Sequence, residues 1–285
     1  MTCLRKIGTV LWPAILALFL AGCDQQADSA DLKLHDIATG QTVAGVAAAQ
    51  ALGSSRLVLV GEHHTHPPHH QAQLQVIRAL VDNRAAVSIG LEMFRKDQQA
   101  ALDRWIAGDI DEREFEQIYL DNWNYPWPLY REIFRYARHK GIPMVGLNVP
   151  RGITRQVARQ GFASLSETQR GELEGVTCSV TREYRDYIRQ AFGAHGHGDM
   201  DFVRFCEAQL VWDTAMAINA VNHLKRHPER VMVLVAGSAH ARKMGIPYQV
   251  KRRSELPVKV LLPYTPEVFD PDTVTAADAD FIVMP

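Results

Sequence analysis

Cysteine is scarce in this sequence, with four in 285 residues. Cys3 and Cys23 fall close to the N-terminus, so Cys178 and Cys206 are all that the body of the chain holds. Two thiols admit one bridge at most, which excludes a disulfide scaffold and leaves their pairing open. No Cys-x-x-Cys pair occurs, so a zinc centre built on cysteine is excluded as well. Excess positive charge is also missing: 31 Lys and Arg stand against 32 Asp and Glu, a formal net charge of −1. With no basic tract either, nothing supports binding to nucleic acid. The apolar run from about Ile7 to Leu20 falls short of the ~20 residues a spanning helix needs, which argues against a permanent transmembrane anchor.

That run has a different use. Arg5 and Lys6 precede it and Leu20-Ala21-Gly22-Cys23 follows it, the layout of an export signal with a small-residue cleavage site. The ending resembles a bacterial lipobox, which implies that Cys23 is lipidated and becomes the first mature residue. Residues 1–22 are therefore set apart as a signal peptide. Without Arg5 and Lys6 the basic count falls from 31 to 29 against 32 acidic groups, and the net charge becomes −3. Residues 23–34 are polar and read as a flexible tether. The domain proper is expected over 35–285, tethered by its lipid to the inner or outer membrane of a bacterial envelope on the periplasmic face.

Histidine, in contrast, is concentrated: five of twelve lie between 63 and 70. Leu57-Val58-Leu59-Val60 is a continuous apolar run, as expected of a strand buried on both faces of a parallel sheet. Gly61 ends it, and Glu62, His64, His66, His69 and His70 follow within nine residues. A surface loop of this composition can also bind transition metals without any evolved role.

The pattern then repeats. Residues 43–52 and 71–81 have helical composition and spacing, and Ala86 to Leu91 forms a second apolar strand finishing on Glu92. A helix follows over 97–119, broken near Gly108. Next comes an aromatic cluster of Trp123, Tyr125, Trp127 and Tyr130, with Pro126 and Pro128 between them. Strands are expected at 143–147, 231–236 and 258–262, and a short apolar piece at 281–284. Residues 152–229 read as largely helical, interrupted by Gly193-Ala194-His195-Gly196-His197-Gly198, a candidate lid. Strand, helix and strand in succession predict right-handed crossovers and an α/β fold. The expected architecture is a mostly parallel central sheet flanked by helices, with an inserted helical subdomain.

Two strands end in Gly-x-x-His, as Gly61-Glu62-His63-His64 and Gly237-Ser238-Ala239-His240. In a parallel α/β sheet the C-terminal strand ends share one edge, so Glu62, His64, Glu92 and His240 are expected to converge there. Two imidazoles and two carboxylates suit a divalent ion such as Zn, Mn or Fe. Helix capping is an alternative for both glutamates, and rim packing for the aromatic rings. The aromatic cluster otherwise reads as a haem platform, since phenolate is an axial ligand for ferric haem, with Arg151, Arg155 or Arg131 available for the propionates.

Several motifs together resemble the ChaN family across about residues 55–263. They are Gly-Glu-x-His with His70 and Gln71, Leu-Glu-Met-Phe at 91–94, Asn-Trp-x-Tyr at 122–125, Asn-Val-Pro-Arg at 148–151, Gln209 to Asp213, and Gly-Ser-Ala-His at 237–240. The resemblance implies an iron-regulated lipoprotein that binds haem as a dimer with tyrosine ligation. It also implies kinship with Tiki metalloproteases and erythromycin esterases. On that basis Tyr125 is the first candidate ligand, with Tyr130, Tyr184, Tyr187, His195 and His197 open, and Trp123 and Arg151 beside the haem. The leading expectation is therefore a lipid-anchored haem-binding protein acting in haem-iron uptake or handling. The competing one is a metal-dependent hydrolase in which His64, Glu92 and His240 hold the ion and Glu62 transfers protons. A third is a structural lipoprotein that binds a partner.

Overall fold

Four consecutive apolar residues can be buried together only between two layers, and Leu57–Val60 is buried on both sides without remainder. Leu57 and Leu59 pack into one hydrophobic cluster, Val58 and Val60 into another, as the two-residue period of a strand requires. A computed structural model of the chain describes residues 32–173, 175–192 and 202–285. Its elements run β1 (Lys33–Asp36), β2 (Thr42–Ala44), α1 (Gly45–Gly53), β3 (Leu57–Val60), α2 (Pro67–Asp82), β4 (Ala86–Arg95), α3 (Gln99–Ala107), α4 (Glu112–Asn122), α5 (Trp127–Lys140) and β5 (Met144–Asn148). They continue with α6 (Arg151–Gln160), α7 (Glu167–Glu172), α8 (Arg182–Phe192), α9 (Phe202–Arg226), β6 (Arg230–Val235), α10 (Ser238–Ala241), α11 (Ile246–Lys251), β7 (Val258–Pro263) and β8 (Phe281–Met284).

The strands form one eight-stranded sheet in the order β2-β1-β8-β7-β3-β6-β4-β5. From β8 to β5 every pairing is parallel, and only β1 runs against the rest, antiparallel to both β8 and β2. This is the mostly parallel α/β sheet expected from the sequence. Side chains of α1, α2 and α5 cover one face and those of α9 and α11 the other. Each fully buried Leu or Val of β3 contributes about 1.5–3 kcal/mol relative to exposure.

Some boundaries differ from the sequence reading. The tether cannot extend to residue 34, because Leu32 and Leu34 are buried and Lys33–Asp36 pairs with β8. Their alternation with exposed Lys33 is the period of a half-buried strand. β4 runs past Glu92 to Arg95, so Glu92 lies within the strand and not at its tip. The apolar piece at 281–284 is β8, a sheet member. Gly193 to Gly198, the expected lid with His195 and His197, lies outside the described residues. Cys178 and Cys206 form no disulfide with each other, and burial pushes the Cys178 thiol up to about 12.

One edge of the sheet ends on β5, whose outer backbone groups would otherwise lack partners. The Gln99 amide, at the start of α3, accepts from the Gly146 N–H (3.0 Å) and donates to the Met144 carbonyl (2.7 Å). Asn219, on α9, donates to the Leu147 carbonyl at 2.8 Å.

Candidate functional site

β3 and β4 flank β6, with Val60 and Leu91 both level with Val235. β3 and β6 leave the sheet side by side while β4 runs on beside them, which brings Glu62, Glu92 and the Gly237 turn to one edge. The two Gly-x-x-His turns touch: the Ser238 N–H donates to the Glu62 carbonyl at 2.8 Å, and the Ser238 hydroxyl to the same oxygen at 3.1 Å. A side chain at either turn glycine would crowd this contact. A Cβ on Gly61 would lie 2.8 Å from Leu262 Cδ2 and 2.9 Å from Ser238 Oγ; one on Gly237 would lie 2.9 Å from His64 Cε1.

Neither glutamate caps a helix. Glu92 Oε2 accepts from the Gly237 N–H at 2.6 Å, which ties β4 to the turn after β6. Glu62 accepts from His64 Nδ1 (2.6 Å), from Gln73 Nε2 on α2 (2.8 Å) and from the Tyr130 hydroxyl on α5, and His70 Nδ1 stands 3.0 Å away. Burial would raise the Glu62 carboxyl, but the hydrogen bonds and charges of His64 and His70 outweigh it and hold it near 2.

His240 is arranged the same way by a residue that sequence reasoning assigned no role. Asp213, fully buried on α9, accepts from His240 Nδ1 at 2.6 Å and from the Tyr184 hydroxyl at 2.6 Å. Burial alone would strip the proton from His240, yet Asp213 and then Glu92 reverse this and lift its pKa to about 9. Burial also pushes the Asp213 carboxyl up, against the pull of His240 and Tyr184. His64 behaves likewise: burial opposes its charge, and the Glu62 bond with the Glu92 and Glu62 charges raises its pKa overall.

Glu92 lies between the two imidazoles. Its Oε1 is 3.7 Å from His240 Nε2, and its Oε2 and His64 Nε2 both border the space a Cβ on Gly237 would occupy, at 3.6 and 3.1 Å. Each Nδ1 is thus fixed by a carboxylate, and the paired Nε2 atoms are left beside Glu92. The expected convergence of Glu62, His64, Glu92 and His240 occurs at one edge. Among the described residues, however, no cluster of three or more His, Cys, Asp or Glu side chains is arranged to hold a metal ion.

Above this layer opens a cleft of about 320 Å3, lined among others by His64, Tyr125, His240, Arg242 and Phe269. Tyr125 is half-buried with its ring centroid 4.7 Å from that of His64, and Trp123 meets His64 edge-on at 5.1 Å. Burial, then the Glu92 and Glu62 charges, keep the Tyr125 hydroxyl protonated above its ordinary range. No described residue takes a hydrogen bond from it.

The other candidate tyrosines are engaged. Tyr130 is buried and donates to Glu62, Tyr184 to Asp213, and Tyr187 to the Ala239 carbonyl. Arg151 stands apart from the cleft and braces the loop that carries Tyr125, donating to the Asn124 side chain (2.8 Å) and the Asn122 carbonyl (2.6 Å). The remaining loop histidines are partly structural. His69 Nδ1 accepts from the His63 N–H (2.8 Å) and its Nε2 meets Thr265 Oγ1 (2.9 Å), while burial and its histidine neighbours hold its pKa near 4.

Residues 48–250 match the family described as "Haem-binding uptake, Tiki superfamily, ChaN". Among solved structures the chain is similar to ChaN of Campylobacter jejuni, determined in a study of cofacial haem binding. That match has TM-score 0.69 and 20% identity, over 88% of this chain and 96% of that one. A mutant of the erythromycin esterase EreC in its open conformation matches with TM-score 0.47 and 16% identity, over 82% of this chain and 77% of that one. The Arabidopsis thaliana protein RETICULATA-RELATED 5, chloroplastic, is 26% identical over 128 residues, which amount to 42% of this chain and only 17% of that protein.

Proposed function

Since the chain belongs to the haem-binding uptake family of ChaN, within the Tiki superfamily, we propose that it binds haem in the cleft and takes part in haem-iron uptake or handling. The observation that carries this reading is the tyrosine set. Of four candidate tyrosines, Tyr125 alone combines a place on the cleft wall with a hydroxyl that no described residue engages. Ferric haem, when bound, would supply an iron that an anionic oxygen donor can ligate and a flat apolar surface. The donor chemistry fits: a phenol for the iron, and the Trp123 and Phe269 rings nearby for the macrocycle.

The rest of the chain's contribution is orientation. Arg151 holds the loop bearing Tyr125, and His64, locked by Glu62, backs the Tyr125 ring. The phenol must lose its proton to ligate, and its raised pKa makes ligation weaker at low pH. A cleft of about 320 Å3 is at the small end for ligand sites and would leave one face of a bound haem uncovered. A second copy of the chain would cover that face, an arrangement in keeping with the cofacial binding described for the Campylobacter protein. Lipid on Cys23 would hold the assembly to a membrane of the bacterial envelope, on its periplasmic face.

The deciding experiment is haem titration of the purified mature domain. Wild type should give a saturable high-spin ferric spectrum, Tyr125→Phe should lose it, and His64→Ala should weaken binding with the ligand type unchanged. A spectrum that survives Tyr125→Phe intact would refute tyrosine ligation here.

The paired carboxylate–histidine units favour one second reading, a hydrolase. Metal-bound histidines commonly give their other N–H to a carboxylate, as His64 and His240 do to Glu62 and Asp213. In that reading the donors would be His64, His240 and Glu92. Glu62, whose oxygens are already taken and whose pKa sits near 2, would position His64. Ester or peptide cleavage that needs added Mn or Zn and is lost in His240→Ala would establish it.

A further inference from the structure

Across α10 from His240, the cleft holds a cation that the haem-ligation reading above leaves without a task. Arg242 follows α10 and lines the cleft together with Tyr125 and His240. Its side chain is only 15% exposed, and Nη2 donates to Asp278 Oδ1. Asp278 is itself fixed by the Thr275 N–H at 3.0 Å and the Thr275 hydroxyl at 2.8 Å, so it serves as a rigid bracket for the guanidinium. The Tyr187 ring supports the same group at 5.7 Å, and Tyr187 is in turn tied to the Ala239 carbonyl.

The bracket uses one of the five N–H donors of an arginine. Nε–H is buried and meets no hydrogen-bond partner among the described residues. A buried donor left unpaired is costly, and a ligand or a water is the usual means of satisfying it. Elsewhere at this edge, the imidazoles of His64 and His240 are already matched by Glu62, Asp213 and Glu92. The guanidinium therefore stands as a planar, braced and incompletely used donor at the wall of the cleft.

We infer that Arg242 is the carboxylate-recognising residue of the cleft, taking a propionate of haem by a charge-assisted hydrogen bond. The inference rests on the haem reading and adds to it the part of the ligand that Arg242 senses. The geometry of Arg151, the residue first considered for this task, is consistent with the reassignment: both its terminal nitrogens are given to the loop at Asn122 and Asn124. A guanidinium matches a carboxylate through paired donors, which a point charge on lysine does not.

The test compares haemin with haemin dimethyl ester, in which both carboxylates are masked, on the mature protein. Wild type should bind haemin about ten- to a hundredfold more tightly than the ester, the range of one charge-assisted bond to a buried partner. In Arg242→Gln the ratio should fall to near one, with the high-spin tyrosinate spectrum of bound haem unchanged. Arg242→Lys should retain part of the preference, and it carries the test if the glutamine variant fails to fold. A wild-type ratio near one, or a preference that survives in Arg242→Gln, would overturn the inference while leaving haem binding intact. Absence of any saturable haemin spectrum in wild type would overturn the haem reading and this inference with it.

Discussion

Replacing Asp213 by asparagine should uncouple His240 from the pH dependence of the protein's stability. In the native site His240 titrates near 9 against an ordinary 6.5, a difference worth about 3 kcal/mol at ~1.36 kcal/mol per pH unit. The folded state binds this proton more tightly than the unfolded chain. The stabilisation is therefore complete below pH 6.5 and is lost as pH rises through about 9. The Asp213 carboxyl is itself pushed up by burial, so the pair's net gain is smaller than the histidine alone would give. Asparagine keeps the shape and an acceptor for Tyr184 or His240 but removes the charge. With burial then opposed only by Glu92, the His240 pKa should drop to near or below 6.5. Urea unfolding of metal-free protein at successive pH values would show wild type losing stability between pH 6.5 and 9, and Asp213→Asn losing much less across that window. Histidine NMR would report the pKa directly. A His240 resonance still titrating near 9 in the asparagine variant would show that Asp213 is not the source of the shift.

Glu62 gives the mirror image in acid. Its carboxyl is held near 2 against an ordinary 4.5, so its contribution is present above pH 4.5 and disappears as pH falls through about 2. Glu62→Gln should flatten that acid limb by about 3 kcal/mol in a pH series of unfolding midpoints. Gly237→Ala should fold, because the turn has an ordinary φ, but its methyl would displace His64, lowering haem affinity severalfold with little change in melting temperature. Cys23→Ser in cells should move the protein from the membrane to the soluble fraction, read by fractionation and by loss of fatty-acid label.

The strands were legible because burial on both faces leaves an apolar signature that periodicity can find, as in Leu57–Val60 and Arg230–Val235. The shared edge followed from that alone: adjacent parallel strands must release Glu62, Glu92 and His240 on the same side. Asp213 was harder to assign because it sits within an apolar helical stripe, and a charge there carries no local sign of its partner. The available clue was its place among Gln209, Met216 and Ala220 on the buried face of α9. Tyr130 and Tyr125 lie five residues apart in one aromatic cluster, and apart from the family resemblance that put Tyr125 first, no residue pattern separates their roles. Only the direction of α5 decides that one hydroxyl goes to Glu62 and the other to the cleft. β1 was obscured by its brevity and by neighbouring polar residues that suggested a tether.

Gln99 has a consequence for how the protein behaves in company. An open parallel edge is a template on which another chain's strand can register, the first step toward fibrils. By mimicking one residue's worth of a missing neighbour, the amide blocks that register at the cost of a single side chain. Wherever copies of the chain meet often, this blunt end keeps their sheets from joining edge to edge.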